Sequence, residues 1–68
     1  MKEFPRRLSE TLKANQISQT EFAKRLNVSQ AMVNRYCLGK KKPSVDVLFL
    51  ICKELDESAD YLMGLTDL

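Results

Sequence analysis

Sixty-eight residues leave room for one domain with a small core; a chain of this size buries only about 60% of the surface its unfolded form exposes, so it needs economical packing or a partner subunit. Hydrophobic residues make up 44% and charged residues 29% of the chain, a globular balance that excludes a disordered tail. No apolar run approaches the roughly 20 residues of a membrane span, and Met1–Arg7 lacks the apolar stretch of a signal peptide, so the expected location is the cytoplasm.

The pattern predicts an all-α fold of five short helices. The first runs from Pro5 to Ala14: proline suits a first helical turn, and Phe4, Leu8 and Leu12 recur every four residues on one face. Asn15, Gln16 and Ile17 link it to Ser18-Gln19-Thr20-Glu21, which reads as a capping box whose hydroxyl and carboxylate satisfy orphan N–H groups reciprocally. The box opens a second helix with Phe22, Ala23 and Leu26 facing inward. Asn27-Val28 breaks it, and Ser29 caps a third helix with Val33, Tyr36 and Cys37 as its apolar stripe. Gly39 ends that helix as a C-terminal cap, and Lys40-Lys41-Lys42-Pro43 forms a loop.

Ser44 caps a fourth helix that turns Leu48, Ile51, Cys52 and Leu55 to the core. Residues 45–51 have the composition of a buried strand, but the cap before them and the period continuing to Leu55 favour helix. Ser58 caps a short fifth helix with Tyr61 and Leu62, ended by Gly64. Asp46 and Asp60 fall in first turns, where the helix dipole favours negative charge.

The formal charge of +2 conceals a polar layout. Residues 22–45 carry Lys24, Arg25, Arg35, Lys40, Lys41 and Lys42 and no acid. Residues 46–68 carry Lys53 against Asp46, Glu54, Asp56, Glu57, Asp60 and Asp67. A cationic middle and an anionic end suit a chain that meets a polyanion on one face only. There is no histidine, and Cys37 and Cys52 are the only cysteines. They make no zinc site alone and sit among apolar neighbours, so they read as reduced packing residues, with a disulfide as the alternative. With no histidine, no metal cluster and serines explained as caps, no nucleophile–base pair presents itself, and an enzyme is not expected. No cofactor, metal or small-molecule ligand is indicated.

Residues 19–38 read as two helices joined by a tight turn. Ala23 is small where the helices must cross closely. Asn27 occupies the turn, being among the few non-glycine residues that tolerate a left-handed conformation. Val28 and Val33 fill the angle between the helices.

These stretches resemble the phage repressor and Cro-type, or xenobiotic-response-element, helix-turn-helix family. The matching segments are Ser18 to Leu26, Val28-Ser29-Gln30, Leu38 to Ser44, and Leu55 to Leu62, and the likeness covers roughly residues 6–65. Two departures are visible. The turn position is usually glycine and is Asn27 here; the usual Glu on the third helix and Arg on the first are replaced by Cys37 and Leu12, and an apolar pair can replace a buried ion pair at little cost.

The resemblance implies binding of double-stranded DNA, with the helix at 29–38 entering the major groove and its N-terminal end meeting base edges. The expected base contacts are Ser29, Gln30, Ala31, Asn34 and Arg35: Gln bridges adenine N6 and N7, Arg grips guanine O6 and N7, and the Ala methyl meets a thymine methyl. Gln19 is expected on a phosphate while bracing Gln30. Gly39, Lys40, Lys41 and Lys42, with Arg6 and Arg7, complete the expected phosphate contacts, which position without specifying.

The expected regulator is a repressor acting as a homodimer on a palindromic operator, with half-sites about one turn, roughly 34 Å, apart. Tyr61, Met63, Leu65 and Leu68 are the expected dimer interface, within an acidic segment at 57–68 unsuited to DNA. The alternative is a protein-interaction or antitoxin module that keeps the fold without DNA. The sequence leaves open whether a further domain follows.

Overall fold

The computed structural model describes residues 1–67 and is helical throughout its regular structure. The helices are α1 (Phe4–Ala14), α2 (Gln19–Leu26), α3 (Gln30–Leu38), α4 (Val45–Leu55) and α5 (Ala59–Met63). α1 starts one residue earlier than the proline predicts, with Pro5 still in its first turn.

Four serines set the frame. Ser18, Ser29, Ser44 and Ser58 stand in extended conformation before α2 to α5, and each hydroxyl accepts from the N–H three residues on, at 3.0–3.2 Å. Each bond satisfies one of the four orphan donors of a helix start, so each start is fixed to the residue. The capping box before α2 is only half used, because the Glu21 carboxylate accepts from Arg25 Nε at 3.4 Å instead of returning to the cap.

The helix ends are equally local. Asn27 and Asp56 close α2 and α4 in the left-handed region, at φ 58° and 52°, where short polar side chains are tolerated. Gly39 closes α3 at φ 76°, and a Cβ there would also lie 3.1 Å from Pro5 Cγ. Conformation and space both call for glycine at this position. Gln16 also sits at φ 57°, between α1 and α2. Gln has no special tolerance for that region, so Gln16→Gly should stabilise the chain by about 0.5–1 kcal/mol once the more flexible unfolded state is counted. An unchanged or lower melting temperature would show that the exposed Gln16 side chain compensates.

The core gathers Phe4, Leu8 and Leu12 from α1, Phe22, Ala23 and Leu26 from α2, Val33 and Tyr36 from α3, Ile51 and Leu55 from α4, and Leu62 from α5. α3 packs on both α1 and α2, α4 on α2, and α5 closes against α1 and α4. Burying one face of α3 from two sides fixes which face remains for solvent. Among the described residues no helix is long and apolar enough to cross a membrane.

Candidate nucleic-acid interface

Val33 and Tyr36 turn inward from α3, with Met32 and Cys37 half-buried beside them. The opposite face follows from the helical period. Ser29, Gln30, Ala31, Asn34, Arg35 and Leu38 are all exposed, and no described element covers them. Leu38, at 58% exposure, puts a large apolar side chain at the far end of this polar face.

The turn continues the surface. Gly39 N donates to Tyr36 O, and Lys40 N donates to Arg35 O at 2.9 Å. The Gly39 N–H thus caps α3, while the residue itself stays exposed at the turn beside the lysines. Lys40, Lys41 and Lys42 follow, all exposed. Among the described residues ion pairs form on Arg6, Arg7 and Arg25, and none forms on Arg35, Lys24, Lys40, Lys41 or Lys42. The cations of α3 and its loop thus keep their charge for an outside partner.

Gln19 lies half-buried at the start of α2, beside this face. Its Oε1 accepts from Asn34 Nδ2 at 3.2 Å. The brace expected on Gln30 is made by Asn34 instead, and Gln30 stays in solvent. The bond leaves the Gln19 amide NH2 free to donate outward and leaves Asn34 its carbonyl oxygen. Sequence spacing did not reveal this pair, because Gln19 and Asn34 lie on different helices and meet only through the turn at Asn27.

The two arginines of α1 depart from expectation. Arg6 is exposed but forms short contacts with Glu3 and, at 2.9 Å, with Glu10. Its guanidinium holds the Glu3 carboxyl below the usual carboxylate range. A phosphate would have to displace both carboxylates.

Arg7 is buried, with its side chain 8% exposed. Its guanidinium donates to the carbonyls of Tyr61 and Thr66 and to Asp67 Oδ1, and it lies 4.5 Å from the centre of the Tyr61 ring. The assignment of Arg7 to phosphate is therefore corrected: the side chain ties the end of the chain onto α1. A signal was present in the sequence, since Arg7 shares the inward face of α1 with Phe4, Leu8 and Thr11.

Both cysteines are free and half-buried. Burial pushes both thiols above their ordinary range, reinforced at Cys52 by the Glu57 carboxylate and offset at Cys37 by a hydrogen bond from Ser9. Leu12 is buried in the core, and Cys37, half-buried near the end of α3, packs against the core cluster. No group of metal-ligating side chains occurs among the described residues.

The expected dimer residues have mixed settings. Tyr61 and Met63 are half-buried, Tyr61 beneath Arg7. Leu65 is 72% exposed, and Leu68 lies outside the described residues. More apolar surface is exposed on α4, where Val45 is 82% and Phe49 65% exposed. Of the residues expected to face the core from α4, Ile51 and Leu55 are buried, whereas Leu48 and Cys52 are half-buried and line an open groove with Val45, Phe49 and Ala59. α4 is apolar on most of its circumference, and the five-residue α5 is too short to cover it.

Comparison with known proteins places this geometry. A family described as "Helix-turn-helix" matches residues 8–62. The chain is 31% identical over 61 residues to the uncharacterized HTH-type transcriptional regulator YobD of Bacillus subtilis (strain 168), covering 90% of this chain and 54% of that relative. It thus spans about half the length of the curated relative it matches. No solved structure matches it at a comparable level. The extent of the family match, from Leu8 through the helix-turn-helix to Leu62, shows that the chain belongs to the Cro/C1-type helix-turn-helix family.

Proposed function

We propose that this chain is a sequence-specific DNA-binding unit of a transcription regulator, a repressor that acts in the cytoplasm as a homodimer on a palindromic operator, without catalysis or cofactor. The observation that carries the reading is the uncovered outer face of α3 beside three consecutive lysines that form no ion pair among the described residues. A helix presented in this way fits the major groove, which is wide enough to admit it. Family membership and the transcription-regulator name of the relative support the same class.

In this reading Gln30 and Arg35 read purines, Ala31 meets a thymine methyl, and Ser29 and the Asn34 carbonyl face neighbouring base edges. The Gln19 amide and Lys40, Lys41 and Lys42 hold the sugar-phosphate backbone and fix register. The N-terminus of α2 points backbone N–H groups toward the same strand, a favourable setting for a phosphate.

The test is selection of binders from a random duplex library, followed by Arg35→Ala. The variant should lose about 1–3 kcal/mol on the selected duplex and become indifferent at one base position. Equal losses on selected and scrambled duplexes would remove Arg35 from the readers. Failure of any duplex to be enriched would favour the protein-interaction or antitoxin module instead.

A further inference from the structure

We infer that the exposed face of α4 is a self-complementary surface on which a second copy of this chain docks, with the two α4 helices antiparallel about Phe49. This deepens the homodimer reading above by naming the face. It differs from the segment around Tyr61 and Leu65 that the sequence pointed to.

Val45, Phe49 and Cys52 are spaced four and three apart, so they form one stripe along the helix. Val45 and Phe49 are the most exposed apolar side chains on that stripe, and with Leu48 and Ala59 they line a groove of about 220 Å³. Exposed apolar side chains scattered singly need no explanation, but a contiguous stripe beside a groove marks a contact surface.

Charge selects the occupant. Asp46 and Lys53 lie two turns apart on the same solvent flank of that stripe, and neither forms an ion pair among the described residues. In an antiparallel pair, like flanks face each other. With the two-fold axis near Phe49, Asp46 falls within about 1.5 Å along the helix of the second copy's Lys53, and the symmetry repeats the pair. The same operation brings the phenyl rings together and sets Val45 beside the second copy's Cys52. A closed two-fold contact requires this property: each group meets its complement when the surface is turned on itself. On this flank, uniform acidity would suit a basic partner and uniform basicity an anionic surface. The alternation of Asp46 and Lys53 suits this chain itself.

Sedimentation equilibrium of the full chain without DNA, from about 10 µM to about 1 mM, tests the inference. The wild-type chain should dimerise reversibly, and Phe49→Ser should remain monomeric over the range with its helical content retained, since Phe49 is mostly in solvent. Asp46→Lys and Lys53→Asp should each weaken the dimer by about tenfold, two attractions becoming two repulsions. The double variant D46K/K53D should regain most of that loss, because the pair is merely reversed.

Persistence of the dimer in Phe49→Ser, failure of the double swap to recover, or a wild-type chain that stays monomeric because another segment or protein owns this face would each overturn the inference. A duplex carrying one half-site separates this outcome from failure of the DNA reading. A monomer that binds that duplex with steep salt dependence refutes the α4 face alone, whereas a dimer that responds to these substitutions but binds no duplex refutes the DNA reading alone.

Discussion

Replacing Lys40, Lys41 and Lys42 together with glutamine will weaken duplex binding by roughly two orders of magnitude near 0.1 M salt, because each lost phosphate contact forfeits the release of nearly one condensed counterion. The slope of log K against log salt should fall by about one per lysine. The preferred sequence should stay the same, since these side chains meet the backbone and carry no base information. The expectation rests on two features of the loop: the lysines are exposed, and they form no ion pair among the described residues. Isothermal or fluorescence titrations at several salt concentrations measure both quantities. An unchanged slope would mean that the loop points away from the duplex.

Arg7→Ala is expected to act on stability and leave the salt slope untouched. The guanidinium donates to two backbone carbonyls and covers the Tyr61 ring at 4.5 Å, from a site where its side chain is 8% exposed. Its partner Asp67 is fully exposed, so that ion pair itself contributes little. The larger loss comes from carbonyls deprived of a charged donor and from the stem's packing. Together these should cost about 2–3 kcal/mol, which lowers the melting temperature of a domain this small by about 10–20 °C. Arg7→Lys should recover only part of this, since an ammonium lacks the planar fork that reaches several acceptors while stacking on a ring. A thermal melt decides the matter. If Arg7→Ala melts like the parent but binds duplex with a reduced salt slope, Arg7 is a phosphate ligand after all.

These two substitutions mark the difference between what the sequence made legible and what it did not. The helix starts were legible because Ser18, Ser29, Ser44 and Ser58 each act within three residues of themselves. The turn between α2 and α3 was legible for the same reason, since Asn27 needs only its own backbone conformation. The outer face of α3 followed once Val33 and Tyr36 were assigned inward, because helical geometry then leaves Gln30, Ala31, Asn34 and Arg35 outside.

What escaped the sequence depends on contacts between distant segments. Arg7 meets Tyr61 and Thr66 across more than fifty residues of chain, and its inward register on α1 could mark it as buried but not name those partners. The Gln19–Asn34 bond likewise requires the angle between α2 and α3. On α4 the failure has another origin. Val45, Val47, Leu48, Phe49, Leu50, Ile51 and Cys52 supply apolar groups on most sides, so periodicity could not say which side the short α5 would leave bare. Gln16 was hidden by its neighbour: Asn15 is the better left-handed residue, yet the chain places Gln16 at φ 57°.

The most direct measurement is a map of backbone amide shifts as a selected duplex is titrated into the labelled chain. The changes should concentrate at residues 29–35 and 39–42 and at the start of α2 around Gln19, with α1 around Arg7 unaffected. Changes centred on α1 or α5, or none along α3, would contradict the reading that the outer face of α3 is where this chain meets DNA.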